Sequence, residues 1–156
     1  MNLKKIGFDE ISNWLKALIM DYGFSIETLS NYLFLTREQI LWLSDGKLDF
    51  LSDENLDKGR VFDKVAALYL SAEEDKDLKL AGFLGVLINY HRLSQQTIAK
   101  MSGVEVMDVE NLLQGRYEMI SESAKYRMAV TVMSLRFCLK ESEPKDYRIS
   151  LKRSRI

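Results

Sequence analysis

The chain has 156 residues, 47% hydrophobic and 29% charged, with 22 Lys/Arg against 23 Asp/Glu. That balance is too apolar for a disordered chain, and the length suits one medium domain or two small ones. A single cysteine, Cys138, and a single histidine, His91, exclude an internal disulfide and a His/Cys metal site, and no apolar run approaches the ~20 residues a membrane-crossing helix needs.

Charge is divided unevenly. Residues 1–77 carry 9 Lys/Arg and 15 Asp/Glu, whereas residues 78–156 carry 13 and 8. Such segregation suits a polyanion meeting one half and not the other, and chance composition of two small domains gives the same imbalance. The opening MNLKKIGFDEI meets Asp9 and Glu10 before any apolar leader core develops, so a cytoplasmic location is the expectation.

A single proline, eight glycines and apolar residues spaced by three and four predict an all-α protein. Phe8, Ile11, Trp14, Leu15, Leu18, Ile19 and Tyr22 give an amphipathic first helix that ends near Gly23. Ser25 is suited to cap a short helix over Ile26–Leu33, and Thr36 another over Arg37–Ser44, closed by Asp45-Gly46. Ser52, Asp53 or Glu54 would open a longer helix through Val61, Val65, Leu68 and Tyr69. The acidic stretch from Ala72 to Asp77 is the candidate joint. Beyond it the plan recurs: a helix near Leu78–His91, a cap at Ser94, short helices over Gln95–Met101 and Val106–Leu113, and a last long helix opened by Ser121 through Tyr126, Val130, Met133, Leu135 and Phe137. The basic tail after Leu139, with Lys145, Arg148, Lys152, Arg153 and Arg155, is weakly patterned; it could add phosphate contacts or fold back on the acidic half.

The recurrence is residue by residue. Ser25, Thr28, Leu29, Leu35, Ile40, Leu43, Gly46 and Lys47 match Ser94, Thr97, Ile98, Val104, Val109, Leu112, Gly115 and Arg116 at an offset of 69. Leu18-Ile19 matches Leu87-Ile88, and Lys58-x-Arg60 matches Lys125-x-Arg127 after a two-residue deletion. An internal repeat of this kind fixes the architecture before any single residue is interpreted. It predicts units at 1–72 and 73–140, followed by a tail at 141–156.

In the second copy Ala99 suits a close helix crossing, Gly103 four residues on suits a sharp left-handed turn, and Val104, Val109 and Leu112 offer a packed face. Ser94-Gln95, Ala99, Gly103 and Gly115 at these spacings resemble the lambda-repressor/Cro-like (Xre) helix-turn-helix family, strongly over about residues 84–116. The first copy departs from it: Ser30 replaces the alanine, Phe34 replaces the turn glycine, and Trp42 falls in the second helix. It reads as the same unit with its turn filled by aromatics, its Trp42 region suited to packing. Arg37 and Gln39 would still suit guanine or phosphate.

The resemblance implies a fold of two tandem lambda-repressor-like helix-turn-helix units, each flanked by longer helices. It also implies a DNA-binding transcriptional regulator of bacterial or phage type. Gln95, with Gln96 beside it, would then meet phosphate at a helix N-terminus. Val106, Met107 and Asn111 would face base edges, Asn111 reading adenine. Gln114 and Arg116, with Arg92 and Lys100, would hold flanking backbone. One short helix reads too few base pairs to be selective, so a homodimer is expected.

Against this stand Glu105, Asp108 and Glu110, since carboxylates at a phosphate surface oppose binding. A non-catalytic protein-interaction module using the acidic half therefore stays open beside DNA binding. With no phosphate loop, nucleophile elbow or paired carboxylates, neither enzymatic activity nor a cofactor or metal is expected. His91 is expected at a helix end, where an imidazolium would complement the dipole.

Overall fold

A computed structural model describes residues 8–51 and 57–143, and every regular element among them is helical. The helices are α1 (Phe8–Met20), α2 (Ile26–Leu33), α3 (Arg37–Ser44), α4 (Asp57–Glu73), α5 (Lys76–Asn89), α6 (Gln95–Ser102), α7 (Val106–Leu113) and α8 (Glu122–Leu139). Short 3₁₀ turns occupy Tyr117–Met119 and Lys140–Ser142. The residues expected to open α4 at its start (Ser52, Asp53, Glu54) and the tail cations from Lys145 onward lie outside the described residues.

The chain divides into two units, Met1–Glu74 and Asp75–Ile156. The acidic stretch between them is mostly helix. α4 runs through Glu73, and Asp75 caps α5 by accepting the Leu78 N–H at 2.9 Å.

Each unit is built around its own apolar core, and the two cores occupy matching sequence positions. Ile11, Leu15, Leu18, Leu29, Ile40 and Leu43 are buried in the first; Leu80, Leu84, Leu87, Ile98, Val109 and Leu112, each 69 residues on, are buried in the second. After the two-residue deletion Val61 and Val65 correspond to Met128 and Val132, again buried in both. α2 and α3 shifted by 69 coincide with the bounds of α6 and α7. The sequence repeat therefore preserves the residues that exclude water, which is the part that dictates helix packing.

Local signals set the ends. Ser25 and Ser94 accept the N–H groups of Thr28 and Thr97 at 3.0 and 3.1 Å. Thr36 and Gln39 form a reciprocal capping box at α3. Left-handed backbone recurs in register: φ is +74° at Gly23 and +59° at Arg92, +54° at Phe34 and +70° at Gly103, +81° at Gly46 and +75° at Gly115. Two of these six positions lack glycine, and neighbouring contacts must hold them there.

Phe34 corrects one expectation. Its ring does not fill the turn; it is 76% exposed, with Lys64 Nζ 4.6 Å and the Arg60 guanidinium 5.6 Å from the ring centre. Ser30, standing where the second copy has Ala99, donates its hydroxyl to the Leu35 carbonyl and so ties the turn. Trp42 is partly exposed and leans on Phe50 at 5.8 Å.

His91 lies beyond the end of α5, where its Nε2 is 3.0 Å from Glu143 Oε1. The same oxygen accepts from Arg136 Nη1 at 2.5 Å, so His91 faces the Glu143 carboxylate rather than the helix dipole alone.

Candidate nucleic-acid interface

α6, the Gly103 turn and α7 form a tight corner. The Gly103 N–H closes α6 onto the Ala99 carbonyl at 2.9 Å, and Arg127 Nη1 from α8 donates to the Gly103 carbonyl at 3.1 Å. Its repeat partner Arg60 does the same at the matching corner, donating to the Leu33 carbonyl at 2.7 Å. The arginines kept at this position in both copies thus pin the end of the first short helix. Ala99, Val109 and Leu112 are buried beneath the corner, with Val104 packed against them.

The opposite face of α7 is open. Val106 is 40% and Met107 62% exposed at its N-terminal turn, the part of such a helix that reaches base edges. Gln96 is exposed and Gln95 half-buried on the first turn of α6, where backbone N–H groups have no partner within the helix. Lys100 is exposed on α6, and Arg92 and Arg116 are exposed just before and just after the motif.

Asn111 departs from its expected role. It is only 6% exposed, and its Oδ1 accepts the Arg116 Nε–H at 2.9 Å while its carbonyl accepts the Arg116 backbone N–H at 2.9 Å. A side chain so enclosed is not presented to a base. The cause is the fold-back after Gly115: the Tyr117–Met119 turn lies against α7, and helical periodicity carries no signal of it. Asn111 instead orients the Arg116 guanidinium. Gln114 is exposed and donates to Glu110 at 3.3 Å.

The carboxylates of α7 also have local work. Asp108 accepts the Glu105 N–H at 3.3 Å, capping the helix, and Glu110 accepts from Gln114. Glu105 is exposed at the N-cap. In the first unit Gln39, expected as a reader, is half-buried and spends its Oε1 on the Thr36 N–H at 2.9 Å. Among the described residues no group of His, Cys, Asp and Glu is arranged to hold a metal ion, and no helix is long and apolar enough to cross a membrane.

Two short helices meeting at a left-handed turn, one face packed and the other open, define a helix-turn-helix protein. The chain belongs to a helix-turn-helix domain family, whose family model matches residues 6–145 in one span covering both units. No curated protein and no solved structure matches it. A domain of this kind is typical of DNA-binding regulators and typically non-enzymatic.

Proposed function

We propose that this chain is a sequence-specific DNA-binding transcriptional regulator of bacterial or phage type, built from two tandem lambda-repressor-like units and acting as a homodimer. The observation that carries it is the open N-terminal face of α7, with Val106 and Met107 outward, beside the exposed first turn of α6. Val106 and Met107 would contact thymine methyls, and Gln95 and Gln96 would bond phosphate or a base edge at the α6 N-terminus. Arg116, aimed by Asn111, would hold the flanking backbone together with Gln114.

Gln95→Ala and Arg116→Ala are expected to weaken duplex binding several-fold in fluorescence anisotropy with circular dichroism unchanged. Asn111→Ala should weaken it through Arg116, so that the double variant Asn111→Ala/Arg116→Ala loses no more than Arg116→Ala alone. Additive losses would mean that Asn111 touches DNA itself, and unchanged affinity in all three variants would remove these residues from the interface.

A second use, as a protein-interaction module, is favoured by the first unit, where Met20, Phe34, Leu41 and Trp42 are all exposed. Absence of binding to any duplex at low salt would leave that use standing.

A further inference from the structure

α8 is apolar on two opposite faces. Ala124, Met128 and Val132 are buried in the core of the second unit. Tyr126, Val130, Met133 and Phe137 fall on the other side, following one another by four, three and four residues, and all are exposed, Tyr126 by 70% and Phe137 by 84%. Steps of four, three and four bring side chains back to one line along a helix, the spacing of a seam between two helices.

Nothing in the fold requires this line to be apolar. At the matching positions of α4 the chain has Gly59, Asp63, Ala66 and Leu70, which make no such seam, although α4 fills the same place in the first unit's plan. Exposed aromatics are costly to keep in water, and an apolar line along one helix face is a candidate contact surface.

We propose that the α8 stripe is the contact through which two copies of this chain pair, antiparallel, across a two-fold axis passing between Val130 and Met133. The stripe reads aromatic, aliphatic, aliphatic, aromatic in either direction. Antiparallel pairing sets Tyr126 opposite Phe137 of the second copy and Val130 opposite Met133, as a self-complementary contact demands. Offset aromatic pairs at both ends would add ~0.5–1.5 kcal/mol each beyond burial.

Charge supports the same direction. Glu122 and Lys140 lie on one line beside the stripe, five turns apart, one at each end of the helix. Antiparallel pairing keeps this line on one side of the seam and brings each next to its opposite in the second copy, whereas parallel pairing puts the two copies' lines on opposite sides and loses both contacts. The Glu122 carboxylate, 93% exposed, is only loosely held by Lys125 at 3.5 Å. Four side chains per copy make a small contact, so a weak dimer in exchange with the monomer is expected.

This pairing serves the dimeric regulator proposed above, but its test uses no DNA, so either can fail without the other. Sedimentation equilibrium of the full chain from about 1 to 300 µM is expected to show monomer and dimer in exchange. Val130→Glu and Phe137→Glu, both on solvent-facing positions, are expected to lower association at least tenfold with unchanged melting. Met133→Ala, a milder change, should lower it less. Glu122→Lys and Lys140→Glu should each weaken the dimer, and Glu122→Lys/Lys140→Glu together should restore it. A chain monomeric throughout this range, or a dimer indifferent to the two glutamate variants, overturns the proposal. Failure of the double charge exchange to rescue overturns the antiparallel arrangement.

Discussion

The backbone at three paired positions decides how sharply each corner turns, and substitutions there have opposite signs. At Gly103, an added Cβ would meet only Arg127 Nη1 at 3.7 Å, an ordinary contact, so Gly103→Ala costs left-handed torsion alone, ~1–2 kcal/mol. Arg92 bears the same kind of torsion with a side chain present. Arg92→Gly is therefore expected to stabilise the protein by ~1 kcal/mol, less whatever glycine adds to the freedom of the unfolded chain. Phe34→Gly should be close to neutral, because relief of its torsion is offset by loss of the ring's contacts with Lys64 and Arg60, ~0.5–1 kcal/mol. Urea unfolding reads all three; a Gly103→Ala protein as stable as the parent contradicts the torsional argument. At this scale the sequence foretold much. Ser25, Thr36, Ser94 and Ser121 each cap the helix their position implies, because an N-cap needs only a short oxygen side chain next to an apolar run. Asn111 was not legible: its burial depends on a chain reversal after Gly115 that no local pattern encodes.

Between elements, the long helices of the first unit are tied by a contact that titrates. Tyr22, just past the end of α1, donates its hydroxyl to Glu73 at the end of α4. That hydrogen bond, with desolvation and the Glu73 charge behind it, pushes the phenol from 10.0 up to about 12. The folded chain holds this proton more firmly than the unfolded chain. Its contribution is therefore fully present below pH 10 and is lost as pH rises toward 12. Stability measured by urea across that window should fall more steeply in the parent than in Tyr22→Phe. Spectroscopic titration should find one phenol ionising well after an ordinary tyrosine; Tyr22 titrating near 10 would deny the contact. Lys125, raised above its ordinary value chiefly by its hydrogen bond to Asp77, similarly links α8 to α5. The bounds of α3 and α7 could be read from sequence because caps and breakers enclose them. The facing of α8 could not, since Tyr126, Val130, Met133 and Phe137 mark the helix as strongly as the residues that pack. Only the correspondence of Met128 and Val132 with Val61 and Val65 tells the buried face from the open one.

For the whole molecule, the offset of 69 residues is what makes the architecture legible, because it carries buried positions, caps and left-handed turns together. The function is less legible for a physical reason. DNA affinity comes mostly from phosphate neutralisation, and α7 has no cation of its own; in the proposed complex Lys100, Arg92 and Arg116 would supply the charge around it. The capping role of Asp108 and the Glu110–Gln114 contact give two of the three carboxylates there a reason other than readout. Their charge remains, so binding should be modest and strongly salt-dependent. The most direct measurement is an anisotropy titration of random-sequence and genomic duplexes at rising salt. Affinity that falls linearly in log–log with a slope of roughly −0.9 per phosphate neutralised, and less steeply in Arg116→Ala, is expected. No binding to any duplex at low salt contradicts gene control by this chain.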